Sequence, residues 1–125
     1  MRFDWLDDLI GKPYRRGGRG PDAYDCFGLL IEVCRRANIT LPNEPTGLTP
    51  EDNHRAFIKG VDLFRKLPQP QDKCMVLLSV DSKLCNHCGF VVQYPYFIHV
   101  LEKKCVVIER LDSLFWKSRV RGYYL

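Results

Sequence analysis

Asp25-Cys26-Phe27-Gly28-Leu29 marks the point where a glycine-rich loop turns into a helix. The stretch before it, Arg15-Arg16-Gly17-Gly18-Arg19-Gly20-Pro21-Asp22, holds too much Gly and Pro for a helix or a central strand. After it, Leu29, Leu30, Val33 and Cys34 form a helical stripe across residues 26–37. Cys26 therefore belongs in the first turn of a helix. Unpaired backbone N–H groups and the positive end of the helix dipole favour an anion there, which lowers a thiol's pKa and raises its thiolate fraction. Cys26 is thus a candidate nucleophile, although a small buried residue would also suit a helix start. The rest of the chain has to decide between the two.

Upstream, 3–10 reads as a short amphipathic helix stopped at Gly11 and Pro13. Downstream, three prolines and a glycine make 38–50 a loop. A helix then starts at Pro50-Glu51-Asp52 and carries Ala56, Phe57, Val61 and Phe64 at helical spacing until Pro68 and Pro70. From Lys73 the pattern becomes β, with strands expected over 74–80, 88–93, 97–101, 105–109 and 119–124 and a helical turn over 111–116. Helices followed by a meander of strands define an α+β chain, with N-terminal helices packed on one face of an antiparallel sheet of about five strands. At 125 residues this is one domain, 1–125, without repeat or linker.

Charged residues at 27% and apolar ones at 46% describe a globular chain. No apolar run approaches the roughly 18 residues of a membrane helix, and the first residues lack the apolar core of a signal peptide. The expectation is a protein made in the cytoplasm without membrane insertion, its six cysteines reduced, with Cys34, Cys74 and Cys105 in the core. A net charge of +4 suits an anionic partner but gives no basic stripe for nucleic acid.

A cysteine nucleophile needs a base and a group that orients that base. Of three histidines, His54 falls on the polar side of its helix and reads as a surface residue, whereas His87 and His99 fall in neighbouring strands. A tight hairpin at Tyr94-Pro95 puts His87 opposite Glu102, leaving His99 about three residues away, roughly 10 Å in a flat sheet at ~3.3 Å per residue. Contact between the two rings then requires twist, a bulge or a shifted register.

Gly11-Lys12-Pro13-Tyr14, Gly17-Gly18-Arg19-Gly20-Pro21-Asp22, Asp25-Cys26-Phe27-Gly28-Leu29, Asn86-His87-Cys88-Gly89-Phe90 and Phe97-Ile98-His99 together resemble the NlpC family of cell-wall cysteine peptidases. The resemblance extends to the ending Val120-Arg121-Gly122-Tyr123-Tyr124. It implies a papain-like α+β fold and hydrolysis of peptidoglycan stem peptides, with cleavage after γ-linked D-glutamate. It also implies Cys26 as nucleophile, His87 as base, His99 as the orienting residue, and Tyr14 beside the cysteine, where its hydroxyl and the Cys26 N–H would hold the oxyanion. No cofactor and no metal are implied. Phe27, where a small serine is commoner, and Cys88, where a β-branched residue is usual, depart from the pattern and bear on the pocket. Unexported members of this kind resemble those of phage tails, which makes tail proteins possible partners and delivery by a tail or another device the route to the wall.

The loop before Cys26 supplies candidate substrate groups. Arg19, with Arg15 and Arg16, can take stem-peptide carboxylates bidentately, and Asp22 and Asp25 can meet an amine or hold an arginine. Two other readings remain. Cys85-x-x-Cys88 with His99 could ligate zinc, although no second CxxC is present and adjacent His87 and Cys88 point to opposite strand faces. The chain could instead be a non-catalytic tail assembly module that keeps the scaffold.

Overall fold

Helix α1 (Cys26–Arg36) begins at the cysteine because Asp25 caps it. The Asp25 backbone is extended, and its carboxylate accepts from the Gly28 N–H at 2.7 Å. The apolar stripe Phe27, Leu29, Leu30, Val33 and Cys34 is buried, and each large apolar side chain so placed stabilises the fold by about 1.5–3 kcal/mol. At the far end the Arg36 guanidinium donates to Glu32 one turn back at 2.8 Å and to Asp8 at 2.6 Å. That fastens α1 to the N-terminal segment, where Asp4–Leu9 is a 3₁₀ helix rather than the expected amphipathic α-helix. Six residues are too few to offset α-helix nucleation.

The computed structural model describes residues 2–46 and 49–125. The expected loop is seen over 38–46, while Gly47 and Leu48 lie outside the described residues. Helix α2 (Pro50–Val61) follows, capped by Thr49, whose hydroxyl accepts from the Asp52 N–H at 3.0 Å, with Pro50 in its first turn. Phe57 of α2 stacks on Phe27 of α1 at 5.6 Å between ring centroids. The helical pattern read through Phe64 stops at Val61, and Phe64 closes a turn onto the Val61 carbonyl at 2.8 Å.

The strands are β1 (Lys66–Leu67), β2 (Cys74–Leu78), β3 (His87–Gln93), β4 (Tyr96–His99), β5 (Val107–Arg110) and β6 (Val120–Tyr124), with the short helix α3 (Leu114–Lys117) before the last. They form one antiparallel sheet in the order β1-β6-β2-β3-β4-β5. Six strands stand where about five were expected, because two-residue β1 is too short to show a period. One face packs Cys88, Phe90, Val92 and Ile98 against α1 and α2. The other packs Val91, Phe97, Leu78 and Cys74 beneath Trp116 of α3. Cys34 and Cys74 are in these cores as expected, but Cys105 is exposed. It precedes β5 and bridges only to Pro13, so Val106 is the residue turned inward.

One irregularity decides the placement of the histidines. Between β3 and β4 the pairs are Gln93↔Tyr96, then Val91↔Phe97 and Phe90↔Ile98, so Val92 is an extra residue in β3. Continuing that register sets Gly89 opposite His99 and His87 opposite Leu101. Residues directly opposite share a face, so His87 and His99 lie on one face as a diagonal pair. Without the bulge, His99 would pair with Phe90 and point to the helix side. Gly89 has no Cβ, and one built there would lie 2.9 Å from the Phe97 ring and 3.3 Å from His99 Cβ.

Two glycines test this packing in opposite directions. A Cβ on Gly28 would lie 2.0 Å from the Gly18 carbonyl oxygen, whereas one on Gly60 of α2 meets Phe27 at 3.5 Å. Gly28→Ala should lower stability by about 1–3 kcal/mol in a urea titration, and Gly60→Ala should raise it by up to about 1 kcal/mol. Equal effects at the two positions would contradict the loop–helix packing described.

Candidate active site

The loop that delivers Cys26 is held from three sides. Arg19 donates to the Asp25 carboxylate at 2.8 Å, to the Gly18 and Glu44 carbonyls at 3.0 and 2.7 Å, to Asn43 at 2.8 Å and to the Thr46 hydroxyl at 3.1 Å. The Thr46 hydroxyl in turn donates to Asp25. Asp25 is buried and serves Gly28, Arg19 and Thr46 together. Of the two readings of Asp25, the structure shows the one in which it holds an arginine: Arg19, expected at the substrate, pairs with it and anchors the loop beneath the cysteine, and Asp22 is exposed on the same loop. Tyr14 is fixed through its backbone: its N–H donates to the Lys104 carbonyl at 3.0 Å, and Pro13 and Arg15 on either side bond to Tyr24 at 3.1 Å.

The histidines meet. Nε2 of His87 lies 2.8 Å from Nδ1 of His99, and both side chains are buried, 3% and 1% exposed. Nε2 of His99 continues to Oε1 of Glu109 at 2.9 Å, and the Trp116 indole N–H donates to Oε2 of the same carboxylate at 3.1 Å. Trp116 stacks on His87 at 5.7 Å and turns its edge to His99 at 4.9 Å, while Phe97 stacks on His99 at 4.3 Å. With Nε2 of His87 taken by His99, Nδ1 is the nitrogen left to serve Cys26, whose thiol titrates together with His87. A line of hydrogen-bonded side chains thus runs from His87 through His99 to Glu109, and Cys26 lines the same cleft as the His87 end of it.

The Cys26 thiol is held down at about 6 by hydrogen bonding first from Cys88 and then from His87, against the opposing effect of burial. Cys88 is driven the other way by burial and by the Cys26 thiolate, so only one of the two thiols ionises. Burial lowers both histidines, partly offset by Cys26 at His87 and by Glu109 at His99. The Glu109 carboxyl is lowered, first by its hydrogen bond to His99. Tyr14 is pushed up to about 12 by burial and by the Cys26 charge, so it remains a phenol with a proton to donate.

Cys26, His87 and Tyr14 open on a cleft of about 380 Å³ whose rim includes Arg16, Asn53, Glu102 and Lys104. Arg16, rather than Arg19, is the arginine at this cleft. His54 is half-buried and accepts from the Cys85 N–H at 3.1 Å, so it is not the solvated residue expected. No group of three His, Cys, Asp or Glu placed to hold a metal occurs among the described residues. Among them, too, no helix is long and apolar enough to cross a membrane. Sequence reasoning missed Cys88 as the neighbour of the thiol, and it missed Glu109 and Trp116 altogether. A carboxylate in the strand paired with that of His99 was the available signal.

A family model described as the NlpC/P60 family matches residues 11–124. Similar solved structures include an NLP/P60 family protein, described as similar to a lipoprotein, from Staphylococcus aureus (20% identity, TM-score 0.69, 97% of this chain and 38% of that one). Another is an NlpC/P60 family protein from Bacillus cereus (20% identity, TM-score 0.67, 94% of this chain and 39% of that one). A third is the NlpC/p60 domain of the peptidoglycan hydrolase SagA (16% identity, TM-score 0.64, 98% of this chain and 93% of that one). The chain spans under two-fifths of the first two, and at these identities the likeness is one of fold. No curated protein sequence matches.

Alkylation by iodoacetamide, followed by peptide mass mapping across the pH range, should label Cys26 with a midpoint near 6, while Cys34, pushed up to about 12 by burial, stays unlabelled. Cys88→Val should move the Cys26 midpoint upward, and so should His87→Ala. A midpoint at the ordinary thiol value in the unaltered protein would refute the assigned electrostatics.

Proposed function

Because this chain belongs to the NlpC/P60 family, we propose that it is a cysteine peptidase that hydrolyses peptidoglycan stem peptides, with Cys26 as nucleophile, His87 as base, His99 as the orienting residue and Tyr14 as an oxyanion donor. The observation that carries the reading is the meeting of Cys26 and His87 at one cleft, with His87 Nε2 and His99 Nδ1 2.8 Å apart behind them. Three buried groups so aligned are what nucleophilic acyl transfer needs and what packing alone does not.

In the proposed reaction His87 takes the Cys26 proton and the sulfur attacks the scissile amide carbon, giving a tetrahedral oxyanion. The Cys26 N–H, which at the first helical position has no partner within the helix, and the Tyr14 hydroxyl face that oxygen. As the C–N bond breaks, His87 gives its proton to the leaving amine, and a thioester remains. Water, losing a proton to His87, then attacks the thioester, and Cys26 is released as the acid product forms.

Arg16 and Lys104 at the cleft rim suit the carboxylates of a stem peptide, and SagA is described as a peptidoglycan hydrolase. Cleavage after γ-linked D-glutamate is the bond we propose, on the family resemblance. A tail-associated setting, with phage tail proteins as partners, belongs to the same proposal and rests on that resemblance alone.

Muropeptides with defined stems, incubated with the reduced protein and analysed by mass, should yield fragments ending in D-glutamate. Release of L-alanine from the sugar would make the enzyme an amidase, and no product from any stem would return the chain to the structural reading. Cys26→Ala and His87→Ala should each abolish turnover, with about the same loss as in the double variant. Tyr14→Phe should lower kcat by about 10²–10³. His99→Ala should slow turnover without ending it, and His99→Asn should retain more. Wild-type turnover in Cys26→Ala would refute the peptidase.

A further inference from the structure

We propose that Glu109 is a positioning residue for this site: it is the member of the hydrogen-bonded line that can only accept, and it thereby sets which nitrogen of His99, and through it of His87, carries the proton. The role in turnover rests on the reading of Cys26 as nucleophile and His87 as base; the proton arrangement does not.

The argument is one of donors and acceptors. Each neutral imidazole has one N–H and one bare nitrogen, so two imidazoles in line can be protonated in either of two directions. Glu109 removes the choice. Its Oε2 accepts the Trp116 indole N–H, a group that only donates, and its Oε1 faces Nε2 of His99 at 2.9 Å. An ionised carboxylate accepts at both oxygens, so Nε2 of His99 must carry the proton and Nδ1 must be bare. Nδ1 of His99 lies 2.8 Å from Nε2 of His87, which must then hold the His87 proton. While Cys26 is a thiol, Nδ1 of His87 is left as the lone pair for it, and on ionisation that nitrogen takes the proton and becomes the donor to the sulfur. In the reverse arrangement His99 would donate from Nδ1, and His87 would turn an N–H toward the thiol and could not accept its proton.

The surroundings keep this arrangement from being undone by a ring flip. Phe97 lies nearly parallel to the His99 ring, with 16° between the planes, and Trp116 stands across it at 86°. Glu109 pairs with Phe97 across β4 and β5, while Val107 is opposite His99, so the carboxylate reaches the imidazole diagonally on the same face. Its side chain is 43% exposed, which keeps it ionised beside two buried rings. When His87 takes a proton from Cys26, the imidazolium charge is shared along N–H donors that end on the carboxylate.

The test is Glu109→Gln in the full chain. Glutamine offers one acceptor oxygen to two donors, and with that oxygen on Trp116 its N–H₂ group faces His99 and favours the opposite tautomer. Imidazole ¹⁵N NMR should find both His87 and His99 protonated at Nε2 in the unaltered protein, and His99 shifted toward Nδ1–H in Glu109→Gln. With muropeptides, kcat should fall roughly ten- to a hundred-fold at unchanged KM, since Glu109 touches no substrate. An Nδ1–H tautomer of His99 in the unaltered protein, an unchanged tautomer in the variant, or a changed tautomer with wild-type kcat would each overturn the proposal. Active Cys26→Ala would bring down the peptidase reading instead and leave the NMR result to speak for Glu109.

Discussion

The single extra residue at Val92 in β3 is the constraint on which this site depends. A sheet alternates its side chains strictly, so one residue of register decides which face every later side chain occupies. With the bulge, His87, Gly89, Val91, Phe97 and His99 share a face with Trp116. Without it, His99 would join Phe90 on the helix side, and the two imidazoles would lie on opposite sides of the sheet. Gly89 completes the arrangement by leaving empty the space beside Phe97 and His99 that a side chain would fill.

The second support is charge kept out of water. Asp25 is a buried carboxylate, a state tolerated only when paired and fully hydrogen-bonded. Its partners are the Gly28 N–H, the Arg19 guanidinium and the Thr46 hydroxyl. Arg19 also reaches Asn43 and the Glu44 carbonyl, so the glycine-rich loop, the start of α1 and the segment 43–46 are bound into one unit. The chain thus spends one of its loop arginines on holding the cysteine in place and keeps Arg16 at the cleft.

The helices could be read from sequence because each carries its own signals. Asp25 and Thr49 are caps, Pro50 is a helix starter, and the apolar stripes of α1 and α2 repeat at helical spacing. The strands other than β1 could be read as apolar runs to within a few residues, but their register could not. Turn residues mark where a hairpin reverses, and they do not reveal a bulge two residues away. The doubt over contact between His87 and His99 came from that gap. The same gap hid Glu109: a turn centred at Lys103-Lys104 pairs His99 with Ile108 and sends Glu109 to the far face, whereas the observed partner is Val107. Cys105 was misplaced for a related reason, since the strand starts two residues later than its apolar run. Arg19 was read as a substrate group because nothing local announces that residues 43–46 return to meet it.

The set of side chains from Cys26 to Glu109 also has a direction along the chain. Its nucleophile candidate comes first in the chain, and the side chains that lower the thiol's pKa or set the protons behind it, Cys88, His87, His99, Glu109 and Trp116, come from β3, β4, β5 and α3. Contacts so distant in sequence are the last and slowest to form. While the chain is being synthesised, Cys26 leaves the ribosome as an ordinary thiol, mostly protonated at neutral pH. It stays so until the C-terminal third has been made and the sheet has closed. The lowered thiol is therefore a property of the finished fold, and an incomplete chain carries the cysteine without the surroundings that ionise it.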